Sequence, residues 1–220
     1  MLQAAGIGAG DEVIVPAYGN PEVAEAVVRA GAAPVFADID PDTYCIDAAH
    51  VAACVNERTA AVVAVHRFGR RADIERLAGV TRRHGLFLLE QGESQQPFEE
   101  TGRRRAYAAY LDGRLNGLRT PAGGEGHTYQ QYVVRVPGNG RPDRDAFARA
   151  LRSKGVHCSV PVKTPVHRMP AFRRDVELPE TERAADETLA LPIDTELSKR
   201  QLQRVVSACN ALGGLLQPAF

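Results

Sequence analysis

Residues 60–65 read Ala-Ala-Val-Val-Ala-Val, an unbroken apolar run about as long as one strand. A run without polar alternation is typical of a strand that is covered on both faces, as in a parallel sheet. Strand and helix signals alternate on both sides of this run through the first ninety residues. We therefore predict an α/β fold, a mostly parallel sheet flanked by helices and joined by right-handed crossovers.

The other elements of this half follow from apolar runs and from helix boundary residues. Asp47 and Asp73 are placed to cap two helices, and Gly31 and His84-Gly85 end two of them. The predicted strands are 13–16, 34–39, 60–65 and 86–89, and the predicted helices are 21–30, 47–55 and 73–84.

The second half of the chain has a different pattern. Residues 92–105, Gly-Glu-Ser-Gln-Gln-Pro-Phe-Glu-Glu-Thr-Gly-Arg-Arg-Arg, lack core periodicity and predict a linker or a remodelled loop. Beyond them helices and strands are mixed without regular alternation, so we predict a smaller α+β domain. The predicted helices are 104–115, 144–154, 180–190 and 198–212, and the predicted strands are 129–136 and 156–162.

Composition excludes several functional classes. The 27 basic and 27 acidic residues cancel, which argues against a nucleic-acid or anionic-membrane partner. No apolar run approaches the roughly 20 residues of a membrane span, and the N-terminus lacks the pattern of a signal peptide. The cysteines are far apart, which suggests reduced thiols in a cytoplasmic protein. They are Cys45, Cys54, Cys158 and Cys209.

The ionisable residues do not predict a metal site or a familiar catalytic motif. The six histidines are not at metal-ligand spacing, so no metal is expected. A group of glutamates after strand 86–89 has two interpretations, paired catalytic carboxylates or a solvated loop, and the loop is favoured. These glutamates are Glu90, Glu93, Glu99 and Glu100.

Three long stretches in the first half, and three in the second, resemble one family. The first half contains GAGDEVIVPAYGN (8–20), PVFADIDPDTYCID (34–47) and VHRFGRRAD (65–73). The second half contains HTYQQYVVRV (127–136), GVHCSVPVKTPVHRMPAF (155–172) and LALPIDTELSKRQLQRVV (189–206). This order resembles the DegT/DnrJ/StrS family of pyridoxal-phosphate-dependent sugar aminotransferases.

The resemblance implies a truncated fold-type-I transferase. Residues 1–100 would be a remnant of the large α/β cofactor domain, and residues 103–220 the C-terminal α+β domain. It also implies a family role in amino-sugar or antibiotic biosynthesis. Such an enzyme needs a Schiff-base lysine, a carboxylate on the pyridinium nitrogen and donors for the phosphate.

Several positions depart from the family pattern. The resemblance places Gln91 where the family has aspartate, and Ser94 where it has a glutamine near the ring hydroxyl. Gly19 replaces a threonine, and Asn20 falls near the position of the aromatic residue that stacks on the ring. Tyr18 is a possible substitute for that aromatic residue.

The family's long segment with the lysine has no counterpart after Gln91, and its phosphate-binding turn lies upstream of Gly6 and is expected to be absent. Only three basic residues are lysines, and none occurs before Lys154; an arginine-rich composition is the alternative explanation for that scarcity. Lys163 and His167 lie in a segment that resembles a family pocket, although a surface cation is the favoured interpretation of Lys163.

These departures leave three hypotheses open. The favoured hypothesis is a non-catalytic family member that acts as a binding or partner subunit. No cofactor is expected for it. The second is an active aminotransferase with an unusual site, in which Lys163 or a glutamate takes over the catalytic role. The third is a decayed fragment.

A chain without the missing block would expose apolar surface, so we expect a homo-oligomer or a complex with a complete family member. In such a complex, we expect His167 or Lys163 to contribute a side chain to the partner's pocket.

Overall fold

The computed structural model describes residues 2–92, 98–124, 126–137 and 144–213. The chain divides into two compact units. The first comprises Met1–Arg67, Arg71–Glu93 and Thr164–Arg183, and the second comprises Phe68–Arg70, Ser94–Lys163 and Ala184–Phe220. None of the helices in the described ranges is long and apolar enough to cross a membrane.

The first unit is built on a four-stranded parallel sheet, as the alternating pattern predicts. The strand order is β2-β1-β3-β4, and every neighbouring pair is parallel. The strands are β1 (Glu12–Pro16), β2 (Ala33–Ala37), β3 (Thr59–Val65) and β4 (Phe87–Gln91), and the helices are α1 (Glu22–Arg29), α2 (Ala48–Cys54) and α3 (Ile74–His84).

Alternate residues of the buried strands supply two separate cores. Val63 points to the face that α1 covers, where it packs in one cluster with Val27. Val62 points to the opposite face, which α2 and α3 cover with Val51 and Leu77. Both faces of β3 are therefore buried from solvent, which explains its uninterrupted apolar sequence.

A distant segment completes the α1 side of this unit. Residues Thr164–Arg183 bring Phe172 and Leu178 into the same core as Val27. The carboxylate of Asp38, which follows β2 and is 5% exposed, accepts hydrogen bonds from the backbone N–H groups of Glu180 (3.0 Å) and Thr181 (2.7 Å). These donors belong to the first turn of α6 (Pro179–Glu187), so Asp38 caps that helix from 142 residues away.

The second unit packs helices against a two-stranded antiparallel ribbon of β5 and β6. Its core contains Tyr132, Leu151, Leu189 and Cys209. The elements are α4 (Phe98–Asp112), β5 (Tyr132–Arg135), α5 (Arg144–Ser153), β6 (Thr188–Leu191) and α7 (Lys199–Gly213).

Three sequence predictions for the second unit are wrong. Residues 156–162 are not a strand; Ser159 forms only an isolated bridge with Ala190. Residues 188–191 are β6 rather than the end of a helix, because their side chains are all buried against the core and the backbone pairs with β5. The expected polar linker already becomes helix at Phe98; residues 93–97 lie outside the described ranges.

Prediction for the capping carboxylate. Asp38→Ala removes the acceptor for the N–H groups of Glu180 and Thr181 and also for that of Ile39, so we expect the free energy of unfolding to fall by about 2 kcal/mol. Asp38→Asn keeps one acceptor oxygen and should recover part of the loss. Urea unfolding followed by circular dichroism measures both variants. Equal stability of Asp38→Ala and the unmodified protein would contradict the capping role.

Prediction for pH dependence. Burial, with Arg70 and Arg105 nearby, lowers the pKa of His127 to about 4. His127 therefore stays neutral in the folded protein at pH values where the unfolded chain binds a proton, so stability is lost as the pH falls from about 6.5 toward 4. Since Nδ1 of His127 accepts from the N–H of Tyr129 (2.9 Å), His127→Asn keeps an acceptor without titrating. The unfolding free energy of His127→Asn should change less over this pH window than that of the unmodified protein. If both proteins show the same dependence of unfolding free energy on pH, His127 does not cause the loss of stability.

Candidate functional site

The carboxyl ends of β1, β3 and β4 lie side by side because these strands are parallel neighbours. Ligands of open parallel sheets bind at this edge. A cavity of about 190 Å³ opens here in the first unit. The polar residues that line it are Tyr18, Asn20, Glu22, His66, Arg67 and Gln91.

Three residues flagged by the sequence meet at this cavity. Tyr18 and Asn20 follow β1, and Gln91 is the last residue of β4. Asn20 and Gln91 are exposed, whereas Tyr18 is fully buried with its ring stacked on Tyr44 at a centroid distance of 5.8 Å. The Tyr18 ring therefore packs within the protein, in the first unit's own interior.

Arg67 is the residue that shapes this cavity, and sequence inspection did not single it out. Its guanidinium donates to the carbonyl of Tyr18 (3.2 Å) and lies 5.9 Å from the centre of the Tyr18 ring. A Cβ atom on Gly19 would lie 2.8 Å from Cζ of Arg67 and closer still to Nη2. Gly19 also has a φ of +152°, which L side chains rarely adopt. Position 19 is therefore restricted to glycine while Arg67 keeps this position.

The end of β4 carries a neutral amide beside a cluster of charged groups. The carbonyl of Gln91 accepts from the N–H of His66 (3.1 Å). Nδ1 of His66 accepts from the N–H of Ala72 (3.1 Å), so the proton sits on Nε2, which faces the carboxylate of Glu90 at 3.4 Å. Arg71 lies 3.5 Å from the same carboxylate.

This arrangement corrects the interpretation of Glu90 as a loop residue. Glu90 belongs to β4, and its carboxylate forms an ion pair with Arg71 and lies 3.4 Å from Nε2 of His66. Glu99 and Glu100 belong to α4 of the second unit, and position 93 lies outside the described ranges.

The remaining predicted residues lie elsewhere. Lys163 is exposed and belongs to the second unit. His167 belongs to the first unit but is only 1% exposed, lying near Phe36 with Nε2 3.4 Å from the Glu182 carboxylate, and burial lowers its pKa. Ser94 lies outside the described residues. The described ranges contain no cluster of three or more residues suited to a metal ion.

The cysteine thiols are not disposed for nucleophilic chemistry. All four are free thiols in the structure. Burial raises the pKa of Cys45 to about 11 and that of Cys209 to about 12. Burial also raises the pKa of Cys54 and Cys158. A thiol is a poor nucleophile when its pKa is far above neutral pH.

The fold is that of the aminotransferases of the fold-type-I class. The structure of TlmJ, an aminotransferase from Streptoalloteichus hindustanus, superposes with a TM-score of 0.85 and 26% identity, over 98% of this chain and 83% of that one. A DegT DnrJ EryC1 StrS aminotransferase from Brucella abortus gives a TM-score of 0.87 at 19% identity, over 97% and 82%.

The chain belongs to the DegT/DnrJ/EryC1/StrS aminotransferase family, whose profile matches residues 1–92 and 98–210. It is 48% identical over 89 residues to the L-glutamine:scyllo-inosose aminotransferase of Streptomyces griseus, a match that covers 40% of this chain and 21% of that enzyme. It is 29% identical to a pleiotropic regulatory protein of Geobacillus stearothermophilus, over 93% of this chain and 79% of that protein. The chain thus matches about a fifth of the aminocyclitol aminotransferase.

Prediction for the cavity. Gly19→Thr should reduce the unfolding free energy by roughly 2–3 kcal/mol, because the new side chain overlaps the Arg67 guanidinium and because a φ of +152° strains an L residue. Adding Arg67→Leu should recover more than 1 kcal/mol of that loss, since the two positions are in contact. A double-mutant cycle from urea unfolding measures this coupling. Gly79→Thr is the control, since a Cβ there meets no atom within 4 Å. Strict additivity at positions 19 and 67 would contradict the proposed overlap.

Proposed function

We propose that this chain is a family member that does not carry out pyridoxal-phosphate-dependent transamination with its own residues, and that it acts as a binding or partner subunit. The family reaction needs a lysine amine for the Schiff base and an acid that keeps the pyridinium nitrogen charged. The proposal is supported by what the residues at the cavity offer in place of these groups.

The observation that carries the proposal is that Gln91 and Arg67 line the same cavity at the carboxyl edge of the sheet. Gln91 has a neutral amide, which cannot supply the negative charge that makes a pyridinium ring an electron sink. Arg67 fills space next to Gly19 and adds a positive charge. These residues do not fit the cofactor.

The lysines support the same proposal. Lys154, Lys163 and Lys199 are the only lysines of the chain. All three are exposed and belong to the second unit, whereas the cavity belongs to the first. A Schiff-base lysine is normally activated by desolvation or by a neighbouring cation in a pocket.

A gap in the sequence agrees with the loss of the lysine segment. In the match to the Geobacillus protein, about 205 residues of this chain spread over 299 aligned positions, so about 90 positions lack a counterpart here. The family profile is interrupted only between residues 92 and 98. That protein is named a pleiotropic regulatory protein, which favours a regulatory form of the binding role.

An active aminotransferase is the second candidate, favoured by the 48% identity to an aminocyclitol aminotransferase over 89 residues. In that case, Lys163 would hold the cofactor. The two candidates differ in one measurable property, covalent capture of pyridoxal phosphate by a specific lysine.

Prediction for the cofactor. The purified protein, incubated with pyridoxal phosphate and reduced with borohydride, should show no stoichiometric pyridoxyl adduct by intact mass. A complete family aminotransferase treated in parallel is the positive control. Peptide mapping assigns any adduct, since the candidate amines are the three lysines and the N-terminal amine. Equal, partial labelling of all three is the expected surface background.

Stoichiometric labelling of a single lysine would overturn the proposal. If that lysine is Lys163, Lys163→Arg should abolish the adduct while Lys154→Arg and Lys199→Arg leave it intact. This result would establish the second candidate in place of the first.

A further inference from the structure

The late segment of the first unit, Thr164–Arg183, forms a cavity of its own. Its volume is about 770 Å³. The residues that line it are His167, Arg168, Arg173, Arg174, Asp175, Val176 and Glu182. All of them belong to this one segment, so the cavity lies within the first unit. The described residues that line this cavity differ throughout from those that line the cavity at the carboxyl edge of the sheet.

The backbone around this cavity is anchored on both sides. Phe172 precedes the two adjacent arginines and Leu178 follows them, and both side chains are buried in the core of the first unit. The N–H of Arg174 donates to the carbonyl of His167 (2.9 Å). Because the short stretch between Phe172 and Leu178 is held at its ends and at Arg174, its side chains project from a defined backbone.

Positive charge is in excess at this cavity. Arg168 is paired with the carboxylate of Glu182 at 2.5 Å. Arg173 and Arg174 are exposed, and neither guanidinium forms an ion pair within the described part of the chain; Arg174 donates to the carbonyl of Arg173 (3.0 Å), which is uncharged. Two guanidinium charges therefore outweigh the one remaining carboxylate, that of Asp175.

The cavity also contains a buried polar group and an exposed apolar one. His167 is 1% exposed, and its Nδ1 atom has no hydrogen-bond partner among the described residues. Such buried polar atoms are rare in folded proteins and call for a specific explanation. Val176 is a large apolar side chain that is 43% exposed. An excess of positive charge thus lies beside an apolar surface that is left in contact with water.

We propose that this cavity binds an organic phosphate, a small molecule that carries a phosphate monoester and an apolar part. Arg173 and Arg174 hold the phosphate oxygens, because the guanidinium fork matches phosphate geometry. Val176 covers the apolar part of the ligand. The inference goes beyond the proposed function: the described lining residues include no lysine, so binding here is non-covalent and independent of any Schiff base.

The charges favour a phosphate over a carboxylate as the anionic group. A phosphate monoester carries nearly two negative charges at neutral pH, whereas a carboxylate carries one. Two adjacent guanidinium groups without an acidic partner repel each other, and a dianion placed between them removes that repulsion. The exposed Val176 favours an organic phosphate over the inorganic ion, because apolar surface gains free energy when it leaves water.

Prediction for the arginine-lined cavity. Calorimetric titration with phenyl phosphate, in about 0.15 M sodium chloride to screen unspecific charge contacts, should show saturable binding. The double variant Arg173→Gln/Arg174→Gln should weaken this binding at least about tenfold, because both charged forks are lost. Arg82→Gln/Arg83→Gln is the matched control: these adjacent, exposed arginines lie in the last turn of α3 and should leave the affinity unchanged. Circular dichroism verifies that both variants are folded.

A second comparison tests the apolar contact. Phenyl phosphate should bind about fivefold more tightly than inorganic phosphate, because its ring covers Val176. Val176→Ser should remove most of this difference while leaving the affinity for inorganic phosphate unchanged. Val28→Ser is the control, since Val28 is 52% exposed and lies on α1. Both valines are largely in contact with water, so neither change should prevent folding.

Three results would overturn the inference. The first is the absence of saturable phenyl phosphate binding to the folded protein. The second is an unchanged affinity in Arg173→Gln/Arg174→Gln, which would place the anion elsewhere. The third is equal affinity for phenyl phosphate and inorganic phosphate, which would exclude an organic ligand held by Val176.

The titration is independent of the borohydride experiment, because phenyl phosphate has no aldehyde and forms no Schiff base. The phosphate site can therefore fail while the non-catalytic role stands. A captured cofactor on a single lysine would overturn that role without affecting the phosphate site.

Discussion

The carboxylate of Asp38 links the two ends of the first unit's chain. It accepts hydrogen bonds from the backbone N–H groups of Glu180 and Thr181. These two residues belong to the first unit but follow residues 94–163 of the second unit in sequence. This contact places α6, and with it Phe172 and Leu178, against the core that Val27 and Val63 also share. A four-stranded sheet with one short helix on this face would otherwise leave apolar side chains in water, so the sheet and its late segment depend on each other.

The sheet was largely predictable because its local signals agree with its long-range contacts. Val62 and Val63 are buried on opposite faces, so their strand carries no polar alternation, and Asp47 and Asp73 accept from backbone N–H groups at the helix starts that they were predicted to cap. The second unit was less predictable. Residues 188–191 follow a helix without a break in apolar pattern, and only pairing with β5 makes them extended.

The candidate site was predictable in its positions but not in its chemistry. A resemblance directed attention to Tyr18, Asn20 and Gln91, and the structure places all three at one cavity. Arg67 gave no comparable signal, because its effect depends on the side-chain space at Gly19, a residue 48 positions earlier in the chain. Close approach of this kind is a property of packed coordinates, and a single sequence carries no trace of it.

The end of β4 lies close in sequence to the break in the family match. Gln91 ends the strand, and the family match breaks off after Gly92. A charged acid at position 91 would then lack a ring nitrogen to stabilise and would remain exposed beside Glu90, where like charges repel. A neutral amide at position 91 avoids that repulsion, and it agrees with a site adapted to the shorter chain.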